Sequence, residues 1–127
     1  MPAADPRRGE VWLANTAGLG FGPPGDHASR HARFVLVVSA DALNRNRNHV
    51  MVVPIFSTGN LGPTRLRIPA DGTGLRQDGV LFCEELTTID KPLLEPEVGP
   101  RGHVDAALLE AVVVAVRRAL GDMSGSA

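Results

Sequence analysis

Arg33-Phe34-Val35-Leu36-Val37-Val38-Ser39 is an apolar run headed by an arginine. Its valines favour an extended chain, and the lack of polar alternation marks a strand buried on both faces. Ala40-Asp41-Ala42-Leu43-Asn44 follows, and Asp41 to Asn44 suffices for one helical turn. A second buried strand runs from Val50 to Phe56. Pro54 inside it cannot donate to a ladder, so a bulge or a strand exit is predicted there. Upstream, Glu10 to Ala14 reads as a strand with Val11 and Leu13 on one face and Trp12 on the other. Between them Gly18-Leu19-Gly20-Phe21-Gly22-Pro23-Pro24-Gly25 is a glycine- and proline-rich loop. Downstream, Arg65-Leu66-Arg67-Ile68 alternates as a half-exposed strand does, and Gly79 to Cys83 is another strand.

Val104 to Leu120 is the one long helical pattern. Val104, Leu108, Ala111, Val112, Ala115 and Ala119 recur on one stripe. Asp105 or His103 caps its start and Gly121 is placed to end it. Arg117 and Arg118 suit the negative end of its dipole. Five short strands and a terminal helix give a mainly β fold with a C-terminal α element, a small barrel-like sheet with a helix laid against it. The 127 residues form a single domain, residues 1–127, with a core from about 7 to 121 and flexible termini.

The single cysteine rules out an internal disulfide and suits a reducing cytoplasm. No apolar run is long enough for a membrane span, and the N-terminus lacks the plan of a signal peptide. A net charge of −1 speaks against a generic polyanion binder. The distribution is uneven, however. Arg30, Arg33, Arg45 and Arg47, with His27, His31 and His49, crowd the first half, and acidic residues crowd the later part. The four histidines and the cysteine show no metal-ligand spacing, so no metal and no cofactor are expected. There is no phosphate-binding P-loop, dinucleotide fingerprint or nucleophile elbow.

Four blocks stand in order: Arg7-Arg8-Gly9-Glu10-Val11-Trp12; Arg33 to Asn44; Val52-Val53-Pro54-Ile55-Phe56-Ser57-Thr58; and Gly79-Val80-Leu81-Phe82-Cys83-Glu84-Glu85-Leu86-Thr87-Thr88-Ile89-Asp90. This set resembles the MazF/PemK/Kid family of toxins from bacterial type II toxin–antitoxin pairs, from Arg7 to about Gly121. The resemblance implies an SH3-like barrel of the CcdB/PemK type with a long C-terminal helix. It also implies a homodimer that cuts single-stranded RNA at a short sequence without a metal. The partner it implies is a small MazE-like antitoxin whose disordered tail fills the RNA groove.

RNA carries its own nucleophile, the ribose 2′-hydroxyl. A protein that cuts it must take that proton, neutralise the pentavalent phosphorus and protonate the leaving 5′-oxygen. By resemblance Arg33 is the phosphate-neutralising arginine, in the place where relatives carry arginine before Pro-Val-Leu-Val; here Phe34 replaces the proline. Relatives carry a threonine where this chain has Phe56, so a hydroxyl falls to Ser57 or Thr58. In the Kid branch the last block reads Arg-Cys-Asp-Gln, which makes Glu84 the candidate base and places Phe82 where relatives have arginine. On a strand Glu84 and Glu85 face opposite ways, so only one points into a shared groove. Arg30, His31, His27, Phe56 and Glu85 are the candidate RNA contacts. Thr87-Thr88-Ile89-Asp90 resembles the family's Arg-Thr-Ile-Asp and reads as turn chemistry.

Two other readings stay open. A gyrase poison like CcdB would share the fold, but such toxins end in Trp-Gly-Ile and this chain ends Ser124-Gly125-Ser126-Ala127. A degenerate member would bind antitoxin or RNA without cutting, and Phe56 and Phe82 support it.

Overall fold

The computed structural model describes residues 5–17, 19 and 32–122. Among these the chain forms β1 (Glu10–Asn15), β2 (Ala32–Val37), α1 (Asp41–Asn46), β3 (His49–Phe56), β4 (Arg65–Ile68), β5 (Gly79–Phe82), β6 (Thr87–Asp90), β7 (Pro100–His103) and α2 (Ala106–Ala119). The strands pair antiparallel in the order β4-β5-β3-β2-β1-β7, and β6 also pairs with β3. The mainly β fold with a C-terminal helix is as expected. The loop from Gly18 to Gly25 and both extreme termini lie outside the described residues, apart from Leu19.

Both faces of the central strands are covered, which explains their unbroken apolar runs. Leu36, Val53 and Ile55 point to one core with Val11, Ile68 and Leu81, and α2 closes it with Leu109, Val112 and Ala115. Val35, Val37, Val50 and Val52 point the other way, onto Trp12, Ala14, Ile89 and Leu94. β1 thus divides Val11 from Trp12 as its alternation requires.

Four expectations are corrected. β3 runs through Pro54 without a bulge, and Pro54 lies opposite Val35. The other edge of β3 changes partner there, from β6 along His49–Val52 to β5 along Ile55 and Phe56. The missing N–H falls at that changeover, where there is no ladder bond to lose. Thr87–Asp90 is a strand rather than a turn, because Ile89 buries its side chain opposite Val50 while its neighbours stay more exposed. β7 completes a count of seven strands rather than five; its Arg101-Gly102 pattern has no apolar residue to announce it. On α2 the buried line is Leu109, Val112 and Ala115, with Leu108 and Ala111 only half-buried and Ala119 exposed. Val112 and Ala115 keep their expected places, while Leu109 rather than Leu108 fills the core. Its cap is Asp105, whose Oδ1 accepts from the Leu108 N–H at 2.8 Å.

Candidate active site

The first residues of β2 and the last of β3 meet at the rim of the sheet, and a cleft of about 450 Å³ opens there. One wall carries Arg33, Phe34, Ile55, Phe56 and Ser57. The facing wall is the segment from Leu75 to Gly79, which brings in Arg76, Gln77 and Asp78. That segment is held in place by Asp78, whose Oδ1 accepts from the Ala70 N–H at 2.9 Å. It is anchored again at Gly74, where a Cβ would stand 2.6 Å from the Arg101 carbonyl oxygen of β7, at φ +79°. Only glycine permits that approach.

Arg33 enters the cleft because it stands second in β2, at the rim where that strand begins. Its guanidinium carbon lies 4.0 Å from the centre of the Phe56 ring. Nη1 donates to the Ile55 carbonyl at 3.5 Å, the long limit of a hydrogen bond. A cation held over a ring keeps its charge, and the ring engages that charge rather than the donors. Arg101 of β7 stands over Phe34 of the same wall at 5.6 Å. The cleft is therefore bordered by guanidinium groups and can take an anion.

Phe56 is buried, as is Phe82 of β5. Their ring centres are 4.2 Å apart at 42°. Phe82 lies opposite Arg65 of β4, whose guanidinium carbon stands 4.0 Å from the Phe82 ring centre. Arg65 in turn holds Glu84: its Nε and Nη2 donate to Oε2 at 2.8 and 2.7 Å. Thr64 Oγ1 donates to Oε1 at 3.1 Å. A ladder thus crosses four adjacent strands, Arg33 on β2, Phe56 on β3, Phe82 on β5 and Arg65 on β4, and ends on Glu84.

Glu84 and Glu85 do not alternate across a strand. Cys83–Glu85 is a 3₁₀ turn in which Glu84 is exposed and Glu85 half-buried. The strand expectation fails because the chain leaves the β4 ladder after Phe82. Partial burial raises the Glu84 carboxyl, but hydrogen bonds from Arg65, its own backbone N–H and Thr64, with the Arg65 charge, hold it below its ordinary value. Cys83 is buried, and desolvation followed by the Glu84 charge pushes its thiol up to about 12. It is inert as a nucleophile.

Of the residues singled out in the sequence, Arg33, Phe56 and Ser57 share the cleft. Thr58 is exposed beyond it, and neither Thr58, Glu84 nor Glu85 lines it. His27, Arg30 and His31 lie outside the described residues. The sequence reading passed over Arg65, Arg76, Gln77 and Asp78. Arg65 had a signal in the alternation of Arg65-Leu66-Arg67-Ile68, but alternation does not say which partner a face meets. The polar Arg76-Gln77-Asp78 between glycines looks like any solvated turn.

Comparison with known proteins agrees with this architecture. Endoribonuclease PemK of Escherichia coli is 36% identical over 88 residues, 68% of this chain and 62% of that relative's own length. Endoribonuclease MazF6 of Mycobacterium tuberculosis is 28% identical over 116 residues, 89% of this chain and 95% of the relative. A solved endoribonuclease in complex with its cognate antitoxin, from a mycobacterial species, superposes with a TM-score of 0.68 at 27% identity, covering 91% of this chain and 95% of that one. Residues 7–120 match the family described as the PemK-like, MazF-like toxin of type II toxin–antitoxin systems, and the chain belongs to that family.

Proposed function

We propose that the protein is an endoribonuclease toxin that cuts single-stranded RNA at a short sequence without a metal ion. The observation that carries this is Arg33: a guanidinium fixed over Phe56 in an open cleft, at the head of β2. A scissile phosphate seated there would meet a planar, permanent cation suited to two phosphate oxygens. The ribose 2′-hydroxyl gives up its proton to a base and bonds to phosphorus as the P–O5′ bond breaks; the 5′-oxygen takes a proton from solvent, and the products carry a 2′,3′-cyclic phosphate and a 5′-hydroxyl. Arg33 stabilises the extra negative charge of the transition state. Ser57, on the same wall, supplies a hydroxyl beside the phosphate.

Glu84 is the candidate base by its place after Cys83. In that role it must exchange Arg65 for the substrate hydroxyl. The protein works in the cytoplasm, where RNA is found, as a homodimer controlled by a cognate antitoxin. The mycobacterial relative solved with its antitoxin supports that partnership.

One observation favours a second reading, binding without cutting: the carboxylate of Glu84 is already engaged by Arg65 and Thr64. A single assay separates the two. Purified protein is incubated with a long unstructured RNA in EDTA. Discrete fragments ending in cyclic phosphate are expected. Intact RNA that co-migrates with the protein would establish the second reading, and cleavage restored by one specific divalent ion would overturn the metal-free mechanism.

A further inference from the structure

We propose that Phe56 and Phe82 are positioning residues: the paired rings hold the Arg33 guanidinium at the cleft, and the Arg65–Glu84 ion pair braces the ladder from its far end. The inference rests on the reading of Arg33 as the group that meets phosphate.

An arginine side chain has four rotatable bonds and, left in solvent, samples many rotamers. A transition-state contact needs one of them. Here the cation stands 4.0 Å from the centre of a buried ring. That ring cannot move, because Phe82 packs against it at 4.2 Å. Phe82 is fixed in its turn from two sides. Arg65 stands over its face at 4.0 Å. The backbone at Gly59 approaches so closely that a Cβ there would lie 2.8 Å from the ring edge. Arg65 is held by two contacts to Glu84. Each link leaves the next with less freedom, and the chain of links ends at the catalytic cation.

The charges are arranged to the same end. Two guanidinium groups share the two rings, but Arg65 is neutralised by Glu84 while Arg33 faces the cleft. A phenylalanine at position 56 offers no hydroxyl to substrate; it offers a negative ring face, which fixes a cation without using its donors.

The test removes the ring's electrostatics without its shape. Trifluorophenylalanine at position 56 keeps the packing and weakens the negative ring face; Phe56→Leu removes the ring. Two measurements are made on each variant. In the first, the ¹⁵N order parameter of the Arg33 Nε–Hε group reports how tightly the guanidinium is held, and is expected to fall in Phe56→Leu. In the second, cleavage of an oligonucleotide is followed, and kcat is expected to fall by ~10-fold to ~100-fold in Phe56→Leu, and less in the fluorinated variant, with KM little changed. A loss of stability without release of Arg33 would leave that order parameter unchanged. An unchanged Arg33 order parameter in Phe56→Leu, or wild-type kcat in the fluorinated variant, overturns the proposal. If the wild-type protein cuts no RNA at all, the functional reading fails instead, and the order parameter still decides whether the rings hold Arg33.

Discussion

Glu84→Gln removes one negative charge from the Arg65 pair and keeps an oxygen that can still accept from Thr64. Both side chains are partly open to water, at 37% for Arg65 and 30% for Glu84. Ion pairs this exposed contribute about 0.2–1 kcal/mol. Two features place this one in the upper half of that range. Arg65 is already ordered over Phe82, so the pair costs little further side-chain entropy. Thr64 gives the carboxylate a third donor. The coupling between Arg65→Gln and Glu84→Gln in a double-mutant cycle is therefore expected at about 0.5–1 kcal/mol near neutral pH. The sign with pH follows from the carboxyl being held below its ordinary value of 4.5. Such a group contributes stability above the unfolded-state value, and loses it as the pH falls through the lower folded value. The gap between wild type and Glu84→Gln should thus be full at about pH 7 and shrink below about pH 4. Urea unfolding at a series of pH values measures it. A coupling indistinguishable from zero at neutral pH, or a gap that widens in acid, would refute the reasoning.

Arg33→Ala should leave the far-UV spectrum unchanged and lower kcat by ~10²–10³, the usual loss for one group facing a developing oxyanion; a wild-type rate would remove Arg33 from the mechanism. Asp105→Ala deletes the cap of α2 and should cost about 1 kcal/mol, read as a lower urea midpoint at constant slope. No change would mean that the 2.8 Å contact to Leu108 contributes nothing. Light scattering at micromolar concentration should give a dimer, with the exposed Val113 and Leu120 of α2 or a neighbouring apolar face in the contact; a strict monomer would contradict it.

The fold was legible wherever burial is two-sided or strictly periodic. β2 and β3 announce themselves by the unbroken apolar runs that follow Arg33 and His49, and α2 because leucine and valine recur at helical spacing. β7 was not legible: Pro100-Arg101-Gly102-His103 is held by backbone bonds to β1 and by the close approach of Gly102 to Gly72, and its side chains carry no pattern. The site was legible at Arg33 and Ser57, which sit on strand ends whose register the apolar runs fix. Arg65 was not, because its role comes from lying opposite Phe82, a cross-strand relation that no local spacing encodes. Gln77 and Asp78 reach the cleft through a loop whose path is set by Gly74 against Arg101, far along the chain from the Arg33 that shares the cleft.

Phe56 and Phe82 look in the sequence like two separate losses, a hydroxyl at one place and a cation at another. In the folded chain they are one feature. The rings touch, so each occupies space that the other needs filled, and a threonine at position 56 alone would leave Phe82 without its packing partner. The cation missing from position 82 is not missing from the neighbourhood either. Arg65 enters from the next strand, directly opposite, and puts its guanidinium over the ring that took the arginine's place. From there it reaches Glu84, two residues beyond Phe82, as an arginine two residues before a carboxylate would have done. The carboxylate is thereby paired with a guanidinium from the neighbouring strand, and Glu84 is engaged in the absence of substrate. Under the proposed function, RNA must draw Glu84 from Arg65 before the carboxylate can act. The Arg65→Gln variant tests that exchange, since releasing Glu84 should raise its pKa and shift the acid limb of the cleavage profile upward, whereas a carboxylate outside the reaction would leave the limb where it was.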